Sequence, residues 1–300
     1  MTYGVASRLP VSGPTVRDLL ARGQLSFSFE FFPPKNDDGE AKLWSAIREL
    51  EQLQPSFVSV TYGAGGSARG RTVRITERIA SETTLTPVGH LTCVGHTRAE
   101  LRGIIGRYAD AGVRNVLALR GDPPGGPGQP WAGVPDGLDH AIELVSMVRD
   151  LGDFSVGVAA FPQGHPEAAD LDADADVLVA KAAAGADFAI TQLFFDARDY
   201  FRLVERLHAR GCELPVIPGV MPITHSAQLS RFATLSGSAM PPRIARRLQY
   251  LDDAQVRRVG VEVAGALCDE LLAGGAPGLH FYTLNSSSAT REIFASLAVG

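Results

Sequence analysis

Apolar, β-rich runs alternate with stretches of helical periodicity eight times along this chain, and that alternation leaves few folds open. The β-rich runs fall at 26–35, 57–63, 86–94, 115–122, 155–162, 188–195, 215–222 and 278–285. Leu43, Ile47, Leu50 and Leu53 recur at helical spacing, as do Leu101, Ile104, Ile105 and Tyr108. Further helices are predicted over 70–80, 138–148, 174–184, 200–210, 226–234, 254–273 and 289–298, with a short one over 16–22 ahead of the first strand. The strands read as continuous apolar runs, as parallel strands covered by helices do. Eight such units in 300 residues predict an α/β fold of the (β/α)8 TIM barrel kind. An open doubly wound sheet would carry G-x-G-x-x-G after its first strand, and none stands there. No shift in composition divides the chain, so residues 15–300 read as one barrel domain and 1–14 as a mobile tail.

Composition removes several function classes. A net charge of −5 without a basic run argues against nucleic acid. No apolar run reaches the roughly 18 residues of a membrane span. The start lacks the charged-then-apolar pattern of a signal peptide. Cys93, Cys212 and Cys268 lie far apart with no C-x-x-C, which fits a reducing, cytoplasmic setting without disulfides.

A barrel of this kind builds its site at the carboxyl ends of its strands. The first strand, SFSFEFFPPK, buries a lone Glu30 among Phe27, Phe29, Phe31 and Phe32 before Pro33 and Pro34 stop it. A carboxyl group among aromatic rings loses hydration and tends to hold its proton, which a general acid requires near neutral pH. The competing reading is a structural Glu paired with a buried cation. Other strand ends contribute Thr61, Tyr62, His90, Thr92, Arg120, Asp122, Thr191, Gln192, His280, Tyr282 and Asn285. So many polar groups on one face need water, a ligand or one another, which favours the functional reading of Glu30. About half of them are expected to be hydrogen-bonding groups of the barrel itself. The Gly- and Pro-dominated stretch 123–137 is too long for an ordinary turn and reads as a functional or a disordered loop. Asp170, Asp172 and Asp174 imitate a calcium loop, but Ala175 stands where its Gly belongs and Lys181 where its Glu belongs. They read instead as an acidic helix start. No metal is expected, since His90, Asp122 and His280 lack ligand spacing.

The motifs SFEFFPPK, VTYGAGGS, HLTCVGHTR, LALRGDPP, HPEA, AITQLFFD, IPGVMPI and LHFYTLN occur in that order. In this the chain resembles the methylenetetrahydrofolate reductases from about residue 15 to 298. The resemblance implies a barrel that binds FAD without a Rossmann motif. It implies reduction of 5,10-methylenetetrahydrofolate to 5-methyltetrahydrofolate by NADH or NADPH in a ping-pong reaction feeding methionine biosynthesis. It makes Glu30 the general acid and Asp122 the flavin-facing carboxylate, both at the folate as well. It assigns substrate binding to Gln192, Gln228 and Phe232. It assigns the flavin to Thr61, His90, Leu119, Arg120, Gly121, Asp122, His140, Ala141, Phe161, His165, Ala168, Asp174 and Lys181. Phe161 and His140 stand where tyrosines are common, and Val177 where a polar residue often faces adenosine. Ser286 replaces a folate-contacting Arg that Arg291 could supply. Relatives form homo-oligomers of several sizes, and the sequence chooses neither among these nor between the nicotinamides. A regulatory domain after the barrel is not expected. The alternatives are direct hydride transfer to the same folate without flavin, a related barrel flavoenzyme such as a proline dehydrogenase, and a folate- or flavin-binding barrel without turnover.

Overall fold

The computed structural model describes residues 14–62, 66–123, 126, 129–228 and 240–297. The proposed tail 1–14 therefore lies outside the described residues except for Pro14. A short helix α1 (Val16–Ala21) is followed by β1 (Ser26–Phe31), α2 (Asp37–Glu51), β2 (Phe57–Val60), α3 (Gly66–Glu82) and β3 (Pro87–Thr92). Next come α4 (Arg98–Asp110), β4 (Asn115–Leu119), α5 (Ala141–Leu151), β5 (Ser155–Ala160), α6 (Leu171–Ala183), β6 (Phe188–Thr191) and α7 (Ala197–His208). The chain ends with β7 (Val216–Ile217), β8 (Gly219–Val220), α8 (Pro242–Leu248), α9 (Asp253–Ala273), β9 (Gly278–Tyr282) and α10 (Ser288–Ser296).

All strand pairings are parallel, in the order β7-β6-β5-β4-β3-β2-β1-β9-β8. Only Pro218 separates β7 from β8, so these two pieces are the halves of the seventh strand read from sequence. One half pairs with β6 and the other with β9, which brings the two ends of the sheet together in a (β/α)8 barrel. Pro218 has no N–H to give a ladder, which splits the strand, but its carbonyl still accepts from His280 N–H at 2.9 Å.

Side chains alternate across the wall. Phe29 and Phe31 join the outer core between strands and helices with Val58, Val60, Leu91 and Phe281. A second apolar cluster, Phe57, Val88, Leu117, Phe188, Ile190 and Ile217, includes Val16 of α1. The α1 backbone is tied to the strands: Val16 N–H donates to Asn115 Oδ1 at 2.8 Å and Arg17 N–H to Ser155 Oγ at 3.1 Å. Thus α1 docks at the amino ends of β4 and β5, opposite the end where the polar groups gather.

Three elements depart from the sequence reading. Helix α3 starts at Gly66, earlier than its composition suggested, because glycine is a weak helix former and hides the start. Helix α8 was not anticipated, although Pro242 sits at its start, where proline is well tolerated. The last strand stops at Tyr282, because Leu284 and Asn285 take positive φ values of 50° and 59°. Most of the helix expected over 226–234 lies outside the described residues.

Candidate active site

Glu30 is 5% exposed, near the carboxyl end of β1. Its surroundings correct the sequence reading. The phenylalanines flank it along the chain, but the strand's two-residue period sends Phe29 and Phe31 to the outer face. The carboxylate instead meets polar groups from three neighbouring strands. Glu30 Oε2 lies 3.4 Å from Ser59 Oγ, 3.4 Å from His90 Nε2 and 3.4 Å from His280 Nε2. The parallel register puts Glu30 level with Ser59 on β2 and with Tyr282 on β9. His90 is 4% exposed, and its Nε2 has no hydrogen-bond partner despite the nearby carboxylate. Burial pushes the His90 imidazole down to about 4, against the pull of Glu30 and with the help of His280. The ring is therefore neutral at pH 7. The Tyr282 hydroxyl donates to the Thr191 carbonyl at 2.6 Å, and burial drives its pKa well up.

The second expected group gathers beyond the ends of β4 and β5. Arg120 makes two bonds to Glu167, at 2.5 and 2.8 Å, and its guanidinium lies 5.2 Å from the Trp131 ring centroid. That pairing raises the Arg120 pKa and lowers that of Glu167. Glu167 N–H donates to His165 Nδ1 at 3.1 Å, so the neutral ring carries its proton on Nε2. Phe161 meets His165 edge-on at 4.7 Å. Burial pushes His165 down and Lys181 down, and pushes Asp174 up. Asp174 opposes the Lys181 shift, yet no hydrogen bond or ion pair to a described residue engages the ammonium. Gly121 turns with φ of 81°, and a Cβ there would meet Val94 Cγ1 at 2.6 Å and Thr92 Cβ at 2.9 Å. Asp122, just beyond, is exposed.

The remaining site candidates divide. Thr61 follows β2, with its N–H bonded to the Phe31 carbonyl and its own carbonyl held by Thr72 Oγ1. Leu119 ends β4 and is part-buried, and Ala168 closes a turn onto the His165 carbonyl. His140 is exposed and precedes buried Ala141 at the start of α5, where its N–H donates to Glu143 Oε2 at 3.0 Å. Gln192 follows β6, and its Oε1 accepts from Leu193 N–H at 2.8 Å. Gln228 Oε1 accepts from Thr224 N–H at 2.6 Å and His225 N–H at 3.0 Å. No hydrogen bond among the described residues joins either glutamine to Glu30. Phe232 lies outside the described residues.

Two of the polar strand ends serve the barrel itself. Thr191 Oγ1 accepts from Gly219 N–H at 2.8 Å. Asn285 donates to the Phe32 carbonyl and accepts from Phe32 N–H, both at 2.8 Å, extending the β1–β9 pairing by a side chain. Asp170 caps α6 by accepting from Ala173 N–H, as the acidic-start reading required. Arg291 pairs with Glu49 at 3.4 Å, so it is not a free substitute for the Arg absent at Ser286. The sequence reading missed Ser28, Ser59 and Glu167. Ser28 stands one strand period before Glu30 on β1, which the alternation of that strand could have shown, whereas Ser59 is level with Glu30 only through the β1–β2 register.

A family model for methylenetetrahydrofolate reductase matches residues 15–298. The chain belongs to the methylenetetrahydrofolate reductase family. It is 40% identical over 280 residues to a 5,10-methylenetetrahydrofolate reductase of Pectobacterium carotovorum subsp. carotovorum, covering 93% of this chain and 92% of that one. The 5,10-methylenetetrahydrofolate reductase of Salmonella typhimurium is 39% identical with the same coverage. Methylenetetrahydrofolate reductase (NADH) 1 of Arabidopsis thaliana is 33% identical, and the match spans 50% of that longer protein. Among solved structures, an uncharacterized protein from Clostridium thermocellum, described as binding two copies of 5-methyl-5,6,7,8-tetrahydrofolic acid, aligns with a TM-score of 0.65. It covers 94% of this chain and 100% of its own at 13% identity, a likeness of fold alone. Among the described residues of this reductase-family enzyme, no helix is long and apolar enough to cross a membrane.

Proposed function

We propose that the protein reduces 5,10-methylenetetrahydrofolate to 5-methyltetrahydrofolate with NADH or NADPH, using bound FAD. The observation that carries this reading is Glu30, a buried carboxyl group at the active end of a barrel from this family, with no arginine or lysine among the described residues paired to it. A structural Glu would be expected to have such a cation.

The residues beyond β4 and β5 suit a flavin dinucleotide. Lys181 is a largely buried ammonium that feels the charge of Asp174 but makes no hydrogen bond or ion pair to a described residue, and Arg120 stands near it. A diphosphate would neutralise the Lys181 charge and could share Arg120 with Glu167. Thr61, His90, Leu119, Gly121, Asp122, His140, Ala141, Phe161, His165, Ala168 and Asp174 complete the proposed cofactor set. Phe161 keeps an aromatic ring there without a hydroxyl. Bound in this place, the flavin would carry hydride from the nicotinamide to the folate.

The protein's own part is positioning and proton supply. Glu30 delivers a proton to N10 of the folate as the five-membered ring opens. The exposed carboxylate of Asp122 stabilises the iminium cation that ring opening produces. Gln192, Gln228 and Phe232 hold the pterin and its neighbouring ring. Gln192 Oε1 and Gln228 Oε1 already accept backbone N–H groups, which leaves their amide N–H groups as the donors for a ligand.

The test is the visible spectrum of the purified protein, before and after NADH without oxygen, followed by methylenetetrahydrofolate. Oxidised-flavin bands should bleach with NADH and return with the folate. In Glu30→Gln the bleaching should persist and the return should be lost. Equal loss of both half-reactions would overturn the role given to Glu30. A colourless protein that stays inactive with added FAD would overturn the flavin reading.

A further inference from the structure

Ser28, His280 and Glu30 form a continuous polar line inside the barrel. Ser28 and His280 are register partners on adjacent strands, and both are fully buried. Ser28 Oγ lies 2.8 Å from His280 Nδ1 and 3.3 Å from the Leu279 carbonyl oxygen. The other ring nitrogen, His280 Nε2, lies 3.4 Å from Glu30 Oε2. The ring is held in its plane by Phe57, stacked at 5.8 Å, and by Tyr282, edge-on at 5.4 Å.

These distances admit two tautomers of His280, which differ in whether Ser28 sends its proton to the Leu279 carbonyl or to His280 Nδ1. A hydroxyl has one proton to give, and a carbonyl can only accept. When Ser28 donates to the Leu279 carbonyl, its lone pair receives the Nδ1–H of His280. The neutral ring then presents a bare Nε2 to Glu30. A bare nitrogen offers nothing to a carboxylate, so the contact is a hydrogen bond only while the Glu30–His280 pair holds a proton between them. The other groups facing Glu30 do not change this. His90 is a neutral ring, Ser59 is a neutral hydroxyl, and Tyr282 spends its proton on the Thr191 carbonyl.

We propose that Ser28 and His280 are positioning residues for the folate half-reaction. The Ser28 hydroxyl keeps His280 protonated on Nδ1, and the bare Nε2 keeps the acid proton on Glu30. This rests on the reading of Glu30 as the acid. In that step the Glu30 O–H bond breaks and an N–H bond forms at folate N10. The electrons of the opening C–N bond become the N10 lone pair that takes the proton. Solvent then returns a proton to the Glu30–His280 pair.

The proposal is tested on holoenzyme Ser28→Ala and on the tautomer itself. Without the hydroxyl, the His280 proton is free to settle on Nε2, where it donates to an ionised Glu30. The rate of flavin reoxidation by methylenetetrahydrofolate at pH 7 should fall about tenfold or more, a part of the roughly 10²–10⁴-fold that general acid catalysis supplies. Its alkaline limb should move to lower pH. The pH profile of flavin reduction by NADH should not move. Ser28→Thr, which keeps the hydroxyl, should restore the limb. In the flavin-free wild type, imidazole 15N shifts should report the Nδ1–H form of His280 at neutral pH, and Ser28→Ala should convert it. An Nε2–H ring in the wild type, or an unmoved limb in Ser28→Ala, would overturn the proposal. Glu30→Gln separates the two readings: if it leaves folate reduction standing, Glu30 is not the acid, whatever the tautomer of His280.

Discussion

His90 is where burial makes a quantitative demand on stability. Its ring is neutral in the folded protein because burial moves its pKa from the usual 6.5 to about 4. The unfolded chain keeps the ordinary value. Between pH 4 and 6.5 the unfolded state therefore binds more protons than the folded one, and stability rises with pH across that window. Above 6.5 neither state is charged at this site and the term vanishes. Below 4 both are charged and the full cost of burying the cation is present. The difference of about 2.5 units, at 1.36 kcal/mol each, makes that cost about 3 kcal/mol. His90→Gln keeps a polar side chain and removes the titration. Urea unfolding of both proteins from pH 8 to pH 4 isolates the titration of His90 together with its coupling to Glu30, because the carboxylates remote from His90 cancel in the difference. The wild type should lose about 3 kcal/mol more than His90→Gln between pH 7 and pH 4. Parallel curves would refute the reasoning and would mean that the neighbouring Glu30 compensates the charge as it forms.

Two further outcomes follow from single residues. Lys181→Met removes the largely buried ammonium and should weaken flavin binding by roughly 10- to 100-fold, the equivalent of about 1.5–3 kcal/mol for a hydrogen bond to a charged group. Fluorescence titration of the apoprotein with FAD measures it, and an unchanged affinity would remove Lys181 from the diphosphate site. Asn285→Ala deletes both side-chain bonds to the Phe32 backbone and leaves alanine at a φ of 59°. The loss should be about 2–3 kcal/mol, seen as a fall of roughly 5 °C or more in the melting temperature. A shift below about 1 °C would mean that water replaces the amide at no cost.

Architecture was legible because it is written in local periodicity. Runs of β-branched and aromatic residues, alternating with helical spacing, need no knowledge of contacts to be counted. The ordered motifs likewise carried the family from sequence alone, and the family model spans the same stretch, 15–298. Less legible was anything that depends on backbone dihedrals or on a missing N–H. The split at Pro218 and the stop after Tyr282 are of this kind.

The environment of Glu30 shows the division most clearly. By itself, the sequence determined that a carboxyl group is buried near the end of the first strand, between phenylalanines. Only the tertiary structure decided what that carboxyl group meets. Strand alternation turns the rings outward, and parallel register brings Ser59 from β2, His90 from β3 and His280 from β9 against one oxygen. Those residues lie 29, 60 and 250 positions away in the chain. Similarly, Arg120 was visible as the end of a strand, but the carboxylate that holds it, Glu167, comes from the next loop. The physical reason is the same in both cases. Periodicity is a property of neighbours along the chain, while charge, proton position and hydration are set by neighbours in space.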